Sequence, residues 1–264
     1  MTLKFCANLT TLYPEYPFLE RFKAARSDGF AAVECQFPYE FTPDQLKTLL
    51  TQHHLTLVLL NAPAGEWSKG MRGLASDPKH QKQFRDLFRT QAVPYALELG
   101  ASFIHVMAGI LPNAHDTKIH QACYLNNLHW ASQLIQDTPL TILIEALNPW
   151  DVPHYFLNHP QHAFDIAEEL SLPNIGVQLD LYHCGRLSVD PLHYLRNPEL
   201  MTWIKHIQIA SIPERHEPQS EQCDVWLSFL DKSSYQGYIG CEYTPAKNTH
   251  LGLSWIKKWL KHYG

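Results

Sequence analysis

The sequence predicts an α/β fold, a single (β/α)8 barrel that spans residues 1–264. Eight short apolar segments with strand-like composition alternate along the chain with eight segments whose apolar residues recur at helical spacing. This alternation is typical of a parallel sheet with crossover helices. The length is close to the roughly 250 residues usual for one such barrel, and no linker or change of composition separates two domains.

The first half of the chain supplies four strand and helix pairs. Asp28-Gly29 ends the first predicted helix, and Thr42-Pro43 begins the second, because threonine caps a first turn and proline fits its first position. Gly100 stands just beyond the third helix, where glycine is common. The predicted strands are residues 3–9, 31–37, 55–60 and 103–107, and the predicted helices are residues 18–27, 43–53, 78–99 and 117–136.

The second half repeats the pattern. Pro198 interrupts the sixth helical segment, and a polar loop over residues 213–224 follows the seventh strand. The predicted strands are residues 141–145, 175–180, 204–209 and 238–242, and the predicted helices are residues 162–170, 191–203, 225–231 and 253–261.

Polar side chains stand at the ends of the predicted strands. A carboxylate in this position is costly to desolvate unless it meets a metal, a cation or a proton. In (β/α)8 barrels the catalytic residues lie at the C-terminal ends of the strands, so the pattern predicts one shared site. The residues predicted at this rim are Glu34, Asn61, Glu145, Asp180, Gln208 and Glu242.

The oxygen donors at the rim favour a divalent metal. Carboxylate and amide oxygens suit Mg²⁺ or Mn²⁺, and an amide in place of an imidazole makes zinc less suitable. His105 and His206 lie inside predicted strands, so we expect them to pack in the core or support the site rather than bind metal. The predicted metal ligands are Glu145, Asp180, Gln208 and Glu242.

Several of these residues have a simpler interpretation. Glu34 at a strand end is as readily explained by a salt bridge as by a role in the site. Asp180 could cap the helix that follows it, although His183, three residues later, favours a ligand role. Gln208 taken alone could merely satisfy backbone groups, and its matched position at a strand end is the reason to include it.

Two loops are candidates for substrate contacts. Residues 65–73 form a long loop rich in glycine and charge, and loops of this length are usually functional or mobile. Arg215 follows Gln208 closely enough to reach the rim, where it could bind a carboxylate through two hydrogen bonds, although its charged neighbours also fit a solvated surface. Trp67, Trp150 and Tyr155 lie in loops and act either as lids or as anchors.

Composition and missing motifs exclude several classes of protein. The net charge of -5 argues against nucleic acid as a partner. The six cysteines form no disulfide framework, and the chain has neither a signal peptide nor an apolar run of membrane-spanning length. We therefore expect a cytoplasmic protein without membrane or nucleic-acid partners. No glycine-rich phosphate loop, H-E-x-x-H or G-x-S-x-G motif occurs.

Eight short motifs follow one another in fixed order from the first strand to the last. They are Phe5-Cys6-Ala7-Asn8-Leu9, Leu59-Leu60-Asn61-Ala62-Pro63, His105-Val106-Met107-Ala108-Gly109, Ile144-Glu145-Ala146-Leu147-Asn148-Pro149, Gln178-Leu179-Asp180-Leu181-Tyr182-His183, His206-Ile207-Gln208-Ile209-Ala210, Arg215-His216-Glu217-Pro218 and Gly240-Cys241-Glu242-Tyr243. Together they resemble the hydroxypyruvate isomerase family, which belongs to the xylose-isomerase-like TIM barrels and includes 2-oxo-tetronate isomerases.

The resemblance implies an isomerase that interconverts hydroxypyruvate and tartronate semialdehyde. It implies that Glu145 and Glu242 are the acid/base pair, that similar barrels hold a divalent metal through the four ligands named above, and that His183 and Arg215 contact substrate. We add Asn61, at the same rim, to the substrate contacts. One segment, residues 219–224, departs from the family pattern after Arg-His-Glu-Pro.

Three other functions compete with this hypothesis. A 2-oxo-tetronate isomerase or a related sugar or keto-acid epimerase could use the same barrel. An enzyme resembling endonuclease IV would need several zinc ions and a DNA-binding surface, which the acidic balance and the few rim histidines disfavour. A silent barrel could bind a metabolite or a partner protein without turnover. The expected partner is a small hydroxy or keto acid, and a homo-oligomer remains open.

Overall fold

A closed barrel of eight strands confirms the predicted (β/α)8 fold. The computed structural model describes residues 3–111 and 117–259. The strands follow one another around the barrel in chain order. They are β1 (Lys4–Asn8), β2 (Ala32–Cys35), β3 (Thr56–Asn61), β4 (Phe103–His105), β5 (Thr141–Glu145), β6 (Ile175–Asp180), β7 (Ile204–Ile209) and β8 (Tyr238–Cys241).

Helices connect the strands, and the predicted Thr42 cap of the second helix is confirmed. The Thr42 hydroxyl accepts a hydrogen bond from the Gln45 backbone N–H, and the Gln45 side chain accepts one from the Thr42 N–H. Among the described residues, no helix is both long and apolar enough to span a membrane. The α-helices are α1 (Arg21–Ser27), α2 (Pro43–Gln52), α3 (Gln81–Leu87), α4 (Val93–Leu99), α5 (Thr117–Leu134), α6 (Pro160–Leu170), α7 (Leu181–Arg186), α8 (Leu192–Leu195), α9 (Pro198–Trp203), α10 (Glu221–Lys232) and α11 (Thr249–Gly252).

The predicted helix over residues 78–99 is not one regular α-helix. A 3₁₀ turn at Pro78–His80 precedes α3, and a π-helical turn at Phe88–Ala92 separates α3 from α4. Pro94 explains the interruption, because it has no N–H to donate to the carbonyl of Thr90 and its ring crowds that carbonyl. The chain relieves this crowding by widening the preceding turn.

Two predicted boundaries near the C-terminus are wrong. Helix α10 begins at Glu221 because the Ser220 hydroxyl caps it by accepting from the Cys223 N–H, so the end of the predicted 213–224 loop is helical. The predicted closing helix over 253–261 is instead α11, capped by Asn248, followed by a 3₁₀ helix at Leu253–Lys258. Residues 260 and 261 of that prediction lie outside the described residues.

Contacts divide the chain into two compact units. The first comprises Met1–Val58, Asp180–Thr202 and His206–Gly264, as far as the structure describes them, and the second comprises Leu59–Leu179 and Trp203–Lys205. That the chain behaves as a single domain stays a prediction.

Strand register brings polar residues side by side within each unit. In the first unit Gly240 pairs with Gln208 on one neighbouring strand and with Cys6 on the other, and Asn8 pairs with Glu34. In the second unit the paired residues are Asn61 with His105 and Glu145 with Gln178. Since successive side chains alternate between the two faces of a strand, register decides which of them can interact.

All six cysteines are buried and free, which predicts low reactivity. Burial raises the pKa of five of the thiols, so few are present as the reactive thiolate at neutral pH. We expect less than one thiol per chain to react with Ellman's reagent within minutes in the native protein, and all six after unfolding in guanidinium. Rapid native reaction of two or more thiols would contradict the packing. The five are Cys6, Cys35, Cys123, Cys223 and Cys241.

Candidate active site

Three predicted rim residues of the first unit lie buried at the C-terminal ends of β6, β7 and β8. Asp180 ends β6, Gln208 is the second-last residue of β7, and Glu242 directly follows β8. Their relative exposures are 3%, 1% and 6%, respectively. The apolar residues that precede each of them fill the barrel wall, so the polar side chain arrives where the strand ends.

Arg215 lies between two of these acids. Its Nη2 atom is 3.2 Å from Asp180 Oδ2 and 3.4 Å from Glu242 Oε1. The guanidinium carbon lies 4.7 Å from the centre of the Tyr182 ring, which restricts the side chain further. The fold therefore places the Arg215 guanidinium beside two buried carboxylates that are distant from it in the chain.

The turn that carries Arg215 is tied to the segment after β8. Arg215 adopts φ 56°, a left-handed conformation uncommon for a side chain of this size. Its N–H donates to the Ser211 carbonyl, and the Thr244 N–H donates to the Arg215 carbonyl. These hydrogen bonds fix the backbone from which the guanidinium reaches the site.

Glu242 has an unusual environment for a carboxyl group. Burial raises its pKa from 4.5 to about 8, the charges of Asp180 and Glu34 add to the rise, and Arg215 opposes it. Gln36 donates its amide N–H to Glu242 Oε1 at 2.6 Å. The carboxyl group therefore keeps its proton until the pH rises to about 8, unless further positive charge enters the site.

Asp180 fits both interpretations of its role. Its Oδ1 atom caps α7 by accepting from the Tyr182 N–H at 2.9 Å. Its Oδ2 atom faces Arg215 and lies 3.6 Å from Nε2 of His183. One carboxylate oxygen thus fixes the side chain while the other faces the site.

Glu34 is fully buried within the barrel, and side chains of β7 and β1 donate hydrogen bonds to its carboxylate. His206 Nε2 lies 2.7 Å from Glu34 Oε2, and Gln208 Nε2 donates to Oε1 at 2.7 Å. Burial alone would raise the pKa of the Glu34 carboxyl, but the charge and hydrogen bond of His206, with the bond from Gln208, lower it below its usual value. The salt-bridge interpretation of Glu34 therefore fits the structure, because its partner His206 is buried beside it.

Gly240 leaves the space that the Glu34 carboxylate occupies. A Cβ atom at position 240 would lie 2.5 Å from Glu34 Oε1. We expect Gly240→Ala to lower the free energy of unfolding by about 2–3 kcal/mol, because the fixed carboxylate cannot move aside without losing its donors. Urea unfolding of Gly240→Ala and of the wild type measures the difference. Equal urea midpoints for the two proteins would contradict this prediction.

The second unit holds the other predicted site residues. Asn61 ends β3, and Glu145 ends β5, with relative exposures of 4% each. Nδ1 of His105, at the end of β4, lies 3.6 Å from Glu145 Oε2. Strand ends β3, β4 and β5 thus collect an amide, an imidazole and a carboxylate.

The predicted lid or anchor residues differ from one another. Tyr155 is fully buried, and its hydroxyl oxygen accepts from the Ala108 N–H at 2.8 Å, so it anchors a loop. Trp67 and Trp150 are 46% and 59% exposed. The Arg72 guanidinium lies 3.8 Å from the Trp67 ring centre, which orders part of the 65–73 loop.

Comparison with known proteins identifies the relatives of this chain. The model of the xylose isomerase-like TIM barrel family matches residues 22–259. The chain belongs to this family. It is an isomerase, and the resemblance to hydroxypyruvate isomerases and 2-oxo-tetronate isomerases is confirmed.

Two curated relatives illustrate this. The 2-oxo-tetronate isomerase of Cupriavidus necator is 41% identical, over 97% of this chain and 98% of its own. The hydroxypyruvate isomerase of Escherichia coli is 34% identical, over 96% of this chain and 98% of its own. Among solved structures, one from Brucella melitensis described as an AP endonuclease of family 2 is 37% identical with a TM-score of 0.93, covering 98% of this chain and 99% of that one.

The donor atoms of the isomerase's first unit fit a hard divalent cation. Asp180 and Glu242 supply carboxylate oxygens, and Gln208 supplies an amide oxygen. Arg215 lies beside both buried acids here, and burial, with the charges of Asp180 and Glu34, raises the pKa of Glu242 to about 8. A divalent cation would favour the ionised form of these carboxylates, so the residues present are compatible with the predicted metal.

Two residues of the candidate site were not predicted from the sequence. Gln36 donates to Glu242, and Tyr182 supports Arg215 with its ring. Gln36 lay inside the predicted strand 31–37, but β2 ends at Cys35, so the overlong prediction hid that Gln36 directly follows the strand. Tyr182 stands beside Asp180 and His183, but nothing in the sequence indicates that its ring would face an arginine from another loop.

Proposed function

We propose that this isomerase interconverts hydroxypyruvate and tartronate semialdehyde (2-hydroxy-3-oxopropanoate) by moving a proton between adjacent carbons. The observation that carries the proposal is the position of Arg215 between the carboxylates of Asp180 and Glu242. A guanidinium there can hold the carboxylate of a small acid next to groups that accept and donate protons.

Glu145 and Glu242 are the proposed acid/base pair. One of them takes a proton from C3 of hydroxypyruvate. The electrons of the broken C3–H bond form the C2–C3 double bond of an enediolate. The other glutamate, or the same one, returns a proton to C2, and the hydroxyl proton passes from the oxygen on C3 to the oxygen on C2. A side chain positioned to transfer a proton in this way typically raises the rate by about 10²–10⁴-fold.

The proposed metal is Mg²⁺ or Mn²⁺, held by Glu145, Asp180, Gln208 and Glu242. When bound, such an ion supplies positive charge that polarises the carbonyl and stabilises the developing negative charge. Arg215 holds the substrate carboxylate, and His183 and Asn61 contact substrate oxygens.

A second candidate substrate is the four-carbon acid of the 2-oxo-tetronate isomerases. The identity of 41% to such an enzyme, against 34% to a hydroxypyruvate isomerase, favours it. Both substrates share the hydroxyl, carbonyl and carboxylate groups that the proposed site would bind. Residues 219–224, which depart from the family pattern, follow the Arg215 turn and could set the preference between the three-carbon and the four-carbon acid.

Parallel kinetics test the proposal and separate the two substrates. The purified protein is assayed with hydroxypyruvate and with 2-oxo-tetronate, each with added Mg²⁺ or Mn²⁺ and again after EDTA. The proposal expects a kcat/KM for one of these acids well above that for free sugars, and loss of activity after EDTA. Activity with neither acid would refute it, and incision of abasic DNA by the same preparation would favour an endonuclease instead.

A further inference from the structure

Glu34, which has no role in the proposed reaction, is a buried carboxylate at the centre of a hydrogen-bond cluster. We call this the Glu34 cluster: Glu34, Cys6, Asn8, His206 and Gln208. Gln208 and Asn8 donate amide N–H groups to Oε1 at 2.7 and 3.0 Å. His206 Nε2 and the Cys6 thiol approach Oε2 at 2.7 and 3.3 Å.

The cluster determines which end of the Gln208 amide meets Glu34. An ionised carboxylate accepts hydrogen bonds and donates none, so it selects the nitrogen of the amide and turns the oxygen away. The same residue with the amide reversed would set two oxygens against each other inside the barrel. The Gln208 oxygen, the atom able to bind a cation, is therefore directed away from Glu34.

Burial and close packing fix the side chains of the Glu34 cluster in one arrangement. Glu34, Asn8 and His206 have no exposed surface, and Gly240 leaves room for the carboxylate where any Cβ would clash with it. Burial and the neighbouring Glu34 raise the pKa of the Cys6 thiol well above its usual value, so Cys6 remains a donor. Cys6, Glu34 and His206 offer potential ligand atoms within 4.8 Å of one another, but hydrogen bonds already join them.

We propose that Glu34 is a positioning residue that orients the Gln208 amide so that its oxygen, rather than its nitrogen, is presented as a ligand for the divalent metal. This inference rests on the proposed function, because it requires the metal site. Residues that orient metal ligands in this way usually contribute about 10–100-fold to metal affinity. Glu34 itself contacts neither metal nor substrate in this role.

Replacing Glu34 by three different residues separates orientation from simple packing. Glu34→Met removes both acceptors at similar length, and Glu34→Asp keeps the charge but withdraws it by one methylene from Gln208. Glu34→Gln keeps an oxygen for the two amide donors, because its NH₂ group can face His206 and Cys6, where an imidazole can accept instead of donate. Cys6→Ala is the matched control, because it removes a Glu34 partner on the side away from Gln208.

The measurement is Mn²⁺ affinity of the purified variants, by electron paramagnetic resonance of free Mn²⁺ and by calorimetry, with thermal unfolding recorded in parallel. We expect Glu34→Met and Glu34→Asp to weaken Mn²⁺ binding by about 10–100-fold. Glu34→Gln and Cys6→Ala should stay within about threefold of the wild-type affinity, as expected when the orientation of the ligand is preserved. If Glu34→Met does not fold, Glu34→Asp provides the comparison with Glu34→Gln.

The outcomes distinguish this inference from the proposed function. Wild-type affinity in Glu34→Asp and Glu34→Met would overturn the inference and leave the metal site intact. Equal loss in Glu34→Gln or in Cys6→Ala would also overturn it, because the cluster would then act only through packing. A wild-type protein that binds no Mn²⁺ would overturn the metal proposal and the inference with it.

Discussion

Glu242→Gln is expected to lower kcat by about three orders of magnitude while the protein stays folded. Glutamine has nearly the same shape and keeps an oxygen for the Gln36 amide that donates to Glu242 at 2.6 Å. It cannot accept or deliver the proton that moves between the substrate carbons. The measurement is kcat with saturating substrate and metal, together with circular dichroism and the melting temperature.

A matched control distinguishes the chemistry from a general loss of charge. Glu168→Gln changes an exposed glutamate of α6 and should leave kcat unchanged. Glu242→Gln with a kcat within threefold of wild type would contradict the acid/base assignment of Glu242. A variant that is inactive because it has unfolded would be recognised by its melting curve.

Arg215→Ala is expected to raise the KM for the acid substrate by about 10–100-fold, with a smaller fall in kcat. A hydrogen bond to a charged group is worth about 1.5–3 kcal/mol, which corresponds to this range. The cavity left by the side chain should accept guanidinium ion, so millimolar guanidinium chloride should restore part of kcat/KM. Steady-state kinetics with and without guanidinium measure both effects.

Arg196→Ala provides the control for Arg215→Ala. Arg196 is also an arginine over an aromatic ring, with its guanidinium carbon 5.8 Å from the centre of the Phe229 ring, but it is exposed and directly follows α8. Its removal should change KM by less than about threefold, the level expected for a surface charge. Equal KM values for the two variants would show that Arg215 does not hold the substrate carboxylate.

The sequence predicts the fold well because strand and helix patterns are local. Apolar runs that end on Glu145, Asp180 and Glu242 mark strand ends, and the barrel rule then places them at the functional face. The π-helical turn before Pro94 was missed because proline marks where a helix is disturbed without specifying how the chain accommodates it.

The side-chain contacts of the site were less predictable because they join distant parts of the chain. Glu34 meets Gln208 across 174 positions, and Gln36 meets Glu242 across 206. Such pairs depend on strand register, which the sequence does not display. Arg215 was predicted near the rim from its place after β7, but its position between two acids depends on a left-handed turn and on the Tyr182 ring.

Proton NMR of the substrate in D₂O shows directly whether this isomerase moves a carbon-bound proton. The protein is incubated with hydroxypyruvate, and separately with 2-oxo-tetronate, in the presence of Mg²⁺ or Mn²⁺. We expect the isomeric product to appear with solvent deuterium on the carbon that receives the proton, and Glu242→Gln to abolish both product and exchange. Spectra that remain unchanged for both acids, under every metal condition, would contradict it.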